Sequence, residues 1–125
     1  MSLTDQQALD GVRKWIERPD ATRCFDQFAG QCVYRRPDGN RCAIGGLLFG
    51  LIEEDSGVWE DESGVDTLID LYPDAEFVLQ GVDLGLLSAM QQAHDRQYGA
   101  ADGGWQQGAL KALEEIAQQY ELVWQ

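Results

Sequence analysis

The chain has 125 residues, 44% of them apolar, and a formal net charge of −13. That length makes one domain, residues 1–125, with a core of its own. The longest apolar run, Cys42 to Ile52, has 11 residues, short of the ~18 that a membrane span needs. The charge disfavours direct binding to nucleic acid or to an anionic membrane, because both draw on Lys and Arg.

The charge is unevenly spread. Residues 1–41 hold seven basic and six acidic side chains, residues 42–95 hold twelve acidic and no basic ones, and residues 96–125 hold two and four. The partner such a middle section attracts is a basic protein surface. No basic, apolar signal peptide opens the chain. The three cysteines, Cys24, Cys32 and Cys42, show no C-x-x-C spacing and read as reduced thiols of a cytoplasmic protein.

Thr4 with Gln7 three residues on predicts a capping-box helix start. Leu9, Val12, Trp15 and Ile16 form its apolar stripe, Arg13, Lys14 and Arg18 suit its C-terminal end, and Pro19 stops it. Residues 21–29 predict a second short helix with Cys24, Phe25 and Phe28 inward and Gly30 as its stop. Residues 31–36 and 40–43 then predict an antiparallel hairpin around Pro37-Asp38-Gly39, with Gly39 in the left-handed region. In that register Tyr34 faces Cys42, and Arg35, Arg36 and Arg41 form a small basic tip in solvent.

Residues 43–53 predict a buried helix in which Gly46 and Gly50 allow close approach of a neighbour, a second copy of the chain included. Glu53, Glu54, Asp55, Trp59, Glu60, Asp61, Glu62 and Asp66 follow in a loop that is the candidate partner-binding face. The loop lacks the ordered oxygen spacing and central Gly of a calcium loop. Val65, Leu68, Ile69 and Tyr72 predict a short helix ended by Pro73. Asp83 caps the next, with Leu84, Leu87, Met90 and His94 along one stripe. Trp105, Ala109, Leu113, Ile116 and Tyr120 mark the last. The expected fold is therefore α+β and mainly α, with four to six short helices around one β-hairpin.

Two segments carry a resemblance. Cys32-x-Tyr34-Arg35 followed by Asp38-Gly39-x-x-Cys42-Ala43-Ile44-Gly45, with Gln91-Gln92-Ala93-His94-Asp95 about fifty residues on, resembles a group of short uncharacterised bacterial and phage proteins. The similarity spans about residues 30–122. Where that group often continues with Cys-Leu-Ile-Pro-Asp-Glu, this chain has Gly46-Leu47-Leu48-Phe49-Gly50. The resemblance implies a shared fold and no particular reaction.

No cofactor motif is present. Gly45-Gly46 lacks both the P-loop lysine and the dinucleotide fingerprint. The three cysteines and His94 number four potential zinc ligands but do not come in closely spaced pairs, so no metal is expected. His-Asp phosphohydrolase chemistry needs several histidines, and this chain has one. The enzymatic reading that fits the residues best is a small thiol-dependent hydrolase, with Cys42 as nucleophile near a helix start, His94 as base and Asp95 as its orienter. The leading expectation is non-catalytic: an acidic adaptor or inhibitor of a basic protein surface, of immunity, anti-defence or nucleic-acid-mimic type.

Overall fold

A computed structural model describes residues 2–19, 21, 34, 41–60, 64–96, 98, 99, 101 and 103–125, with Glu60 described by its backbone alone. Among these the regular structure is helical: α1 (Asp5–Ile16), α2 (Ala43–Leu48), a 3-10 turn (Gly57–Glu60), α3 (Val65–Leu71), α4 (Pro73–Leu79), α5 (Leu84–Asp95) and α6 (Trp105–Gln119).

Each start has a local cause. Thr4 and Gln7 cap α1 reciprocally, at 3.1 and 2.9 Å, which satisfies two of the donors a helix start leaves orphaned. Cys42 caps α2 through its sulfur, and Asp83 caps α5 by accepting from Leu86 N–H at 3.0 Å. Helix α1 buries Ala8, Leu9, Val12 and Ile16 against α2, α5 and α6. Helix α5 is the hub and touches α1, α2, α3 and α6. It contributes Leu86, Leu87, Met90, Ala93 and His94 to the core.

The C-terminal end of α6 closes with a full Schellman motif. Leu122 N–H donates to Ala117 C=O at 2.8 Å and Glu121 N–H to Gln118 C=O at 3.2 Å, with Glu121 at φ 57°. The chain then runs back along α1. Val123 and Gln6 exchange hydrogen bonds of 2.8 and 3.0 Å, and the Arg13 guanidinium lies 4.0 Å over the Trp124 ring.

Four expectations change. The described residues contain no strand and no sheet, so the α+β class with a β-hairpin is corrected to an all-helical one. Most of residues 31–40, including Cys32, Arg35, Arg36, Asp38 and Gly39, and all but Ala21 of the helix expected over 21–29, lie outside the described residues. The described part of the second arm, residues 41–43, leads directly into α2. The Arg41 carbonyl accepts from the Trp15 indole N–H at 3.1 Å, and the Cys42 carbonyl accepts from Gly46 N–H at 2.7 Å. Both carbonyls thus tie residues 41 and 42 to α1 and α2.

Second, α2 stops at Leu48 rather than near Glu53, because Gly50 turns the chain at φ 81°. Third, Pro73 both ends α3 and begins α4. It occupies the first turn, where its missing N–H costs nothing. Fourth, Leu84 is exposed and Leu86 takes its place in the core.

Candidate functional site

Cys42, His94 and Asp95 are brought into one network, and the residue joining them is Gln91. Its side-chain oxygen accepts from Ile44 N–H at 3.1 Å. Its amide nitrogen donates to both Asp95 carboxylate oxygens at 3.1 Å. Asp95 Oδ1 in turn lies 3.3 Å from His94 Nδ1. The Cys42 sulfur accepts from Gly45 N–H at 3.5 Å. Gln91 thus locks the start of α2 to the end of α5. Its spacing of four from Asp95 is the one local signal that pointed to it.

The thiol is free and buried. Burial pushes it from 9.0 up to about 12, with the nearby Asp95 charge adding to the rise and hydrogen bonds from Gly45 and Gln91 opposing it. At neutral pH such a group is a thiol, whereas nucleophilic attack needs thiolate. His94 is fully buried. Its ring meets Trp105 edge-on with centroids 5.0 Å apart, and its Nε2 has no hydrogen-bond partner among the described residues. The main chain around it is held from outside α5. The Trp105 indole donates to His94 C=O at 2.7 Å, and the Tyr98 hydroxyl donates to Ala93 C=O at 2.7 Å. A surface hollow of about 420 Å³ beside α1 and one of about 230 Å³ between α5 and α6 are both lined by other residues.

Gly45 and Gly46 explain the small residues of the motif. A Cβ on Gly45 would fall 2.0 Å from the Tyr34 carbonyl oxygen, and one on Gly46 would fall 2.4–2.5 Å from the Trp15 ring. The close neighbour expected at Gly46 is therefore the chain's own Trp15. At Gly50 a Cβ would meet open space.

The acidic face is arranged differently from its sequence outline. Arg41, expected at a basic tip in solvent, is only 7% exposed. Its guanidinium sits 4.3 Å from the Phe49 ring and 4.8 Å from the Trp59 ring and pairs with Glu54 at 3.1 Å. Stacking between two aromatic faces and a carboxylate gives a planar cation what water would. Trp59, expected among the partner-binding residues, is fully buried and donates its indole N–H to Glu53 C=O at 2.9 Å. It anchors the loop from inside.

Glu53, Glu54, Asp55 and Asp66 are exposed as expected, and Asp70, Asp74 and Glu76 extend the same acidic stretch along α3 and α4. Asp61, Glu62 and the side chain of Glu60 lie outside the described residues. The Ser56 hydroxyl donates to Asp74 at 2.7 Å and ties the loop to α4. Among the described residues no ion pair neutralises Glu53, Asp55, Asp66, Asp70, Asp74 or Glu76.

No group of three or more His, Cys, Asp or Glu side chains among the described residues is placed to hold a metal ion. Nor is any described helix long and apolar enough to cross a membrane. No family model, no curated protein and no solved structure matches the chain.

Proposed function

We propose that this chain is an acidic binding protein, an adaptor or inhibitor that recognises a basic protein surface in the cytoplasm. The supporting observation is the exposed, unneutralised run of Glu53, Asp55, Asp66, Asp70, Asp74 and Glu76, in a section of chain without Lys or Arg from residue 42 to residue 95. Carboxylates left in solvent with no local counter-charge speed the encounter with a cationic partner. A surface that nucleic-acid-binding proteins use for phosphate is one such partner, which is the mimic role. The Cys42–Gln91–Asp95–His94 network reads as an internal lock, since its thiol is buried and protonated.

The test is capture from host lysate at low and high salt with the wild-type chain and with a Glu53→Lys, Asp55→Lys, Asp66→Lys variant. A basic protein held at low salt, released at high salt and lost in the variant is the expected result. Capture indifferent both to salt and to the three reversals rules the acidic face out.

A further inference from the structure

On the outer sides of α3 and α4 the acids are interleaved with large apolar side chains. Helix α3 turns Val65 and Leu68 inward and leaves Asp66, Asp70 and Leu71 outside. Helix α4 buries Ala75, Val78 and Leu79 and leaves Asp74, Glu76 and Phe77 outside. Leu71 is 59% exposed and Phe77 56%. The two helices pack on each other and share Tyr72 as C-cap of one and N-cap of the other. Asp74 and Phe77, three apart, lie on one side of α4, and Asp66 and Asp70, four apart, on one side of α3. A single exposed Leu needs no explanation. A Leu and a Phe six residues apart on two packed helices, each directly preceded by a carboxylate, Asp70 and Glu76, form a mixed surface with a definite complement.

Resting on the acidic-face reading above, we infer that the α3–α4 surface docks a cationic amphipathic segment of the partner, one whose Lys and Arg meet Asp66, Asp70, Asp74 and Glu76 while its apolar side chains cover Leu71 and Phe77. Charge selects this occupant. A second copy would bring another −13 against the same carboxylates. An anionic lipid surface would be repelled in the same way. A polycation without apolar residues would leave Leu71 and Phe77 in water. Apolar anchors inside a charged surround are the usual source of affinity in such contacts, and the charges set on-rate and choice of partner.

The test titrates the full chain with two labelled synthetic helices of equal length and charge, one of Lys and Leu in amphipathic order, the other with every Leu replaced by Gln. The Lys/Leu helix should bind at least about tenfold tighter, and Leu71→Ser with Phe77→Ser should remove that advantage while leaving the Lys/Gln helix unchanged. Val123→Ser, an equally exposed apolar residue beside α1 (59%), should change neither. Far-ultraviolet circular dichroism confirms that the variants stay folded. Equal binding of the two helices, insensitive to Leu71 and Phe77 but lost on Asp66→Lys with Asp70→Lys, would overturn the anchors and leave the acidic face standing. Binding of neither helix would overturn both. A dimer of the free protein that Phe77→Ser dissolves would assign the surface to a second copy instead.

Discussion

Adding one methyl group at Gly45 should unfold much of the margin on which this chain stands. Gly45 lies in the first turn of α2, where alanine would ordinarily gain about 1 kcal/mol over glycine in helix propensity. The new Cβ, however, would sit 2.0 Å from the Tyr34 carbonyl oxygen and 3.0 Å from its carbon. The obstacle is main chain, so no rotamer change relieves it, and Tyr34 is itself buried. Overpacking of this kind costs about 1–3 kcal/mol, and a backbone obstacle belongs at the top of that range or beyond it. The net loss should be about 2 kcal/mol, a large share of the 5–15 kcal/mol typical of a domain. Urea unfolding followed by circular dichroism should show the midpoint falling by about 1 M, for a slope near 2 kcal/mol per M. Gly46→Ala should cost less, because the Trp15 ring it meets is a side chain. That ring is nevertheless held by Arg41 C=O at 3.1 Å and by the Arg18 guanidinium 3.4 Å from its centroid. Gly50→Ala has open space but a φ of 81° and should cost about 1 kcal/mol. A Gly45→Ala variant as stable as wild type, or less damaged than Gly50→Ala, would refute the packing described at the α2 start.

The Cys42 thiol should couple stability to alkaline pH. From pH 9 to about 12 the unfolded chain gives up a proton that the folded chain keeps, so stability should fall as pH rises through that window, and Cys42→Ser should flatten the fall in urea midpoints; parallel pH profiles would contradict it. Glu121→Gly should raise the thermal midpoint by about 2 °C, since Glu121 stands at φ 57° where glycine is unstrained, and a lowered midpoint would count against the Schellman closure. Arg41→Ala should cost about 2–3 kcal/mol in urea unfolding through lost stacking on Phe49 and Trp59, and Arg41→Lys about 1 kcal/mol; a neutral Arg41→Ala would show that the stack contributes nothing.

What could be read from the residues in advance was local. The Thr4–Gln7 box, the Asp83 cap and the stripes of α1, α5 and α6 are short-range patterns, and the structure follows them except at Leu84, which is exposed while Leu86 is buried. Pro73 was ambiguous in principle, because the chemistry that ends one helix suits the first turn of another. Arg41 misled for a different reason. Its partner Glu54 is thirteen positions away and its stacking rings belong to two further segments, so nothing adjacent to Arg41 announces burial. The Pro-Asp-Gly signal favours a turn, yet the carbonyls of Arg41 and Cys42 accept from Trp15 and Gly46, the first a contact that no local pattern announces. The acids of residues 53–76 were visible as charge. That Trp59 faces inward among them, and that Leu71 and Phe77 face outward, depends on which side of each segment meets the core.

The bond between Gln6 and Val123 joins positions 117 apart, and the helix that carries Gln6 rests on α5 and α6 as well as on α2. During synthesis the apolar stripe of α1 therefore emerges long before the surfaces that cover it. Until the residues of α6 leave the ribosome, Leu9, Val12 and Ile16 have only part of their shelter, and an incomplete chain presents them to whatever hydrophobic surface is near. A chain stopped before residue 105 lacks one of the three helices on which α1 rests, and should expose more of that stripe than the finished protein does.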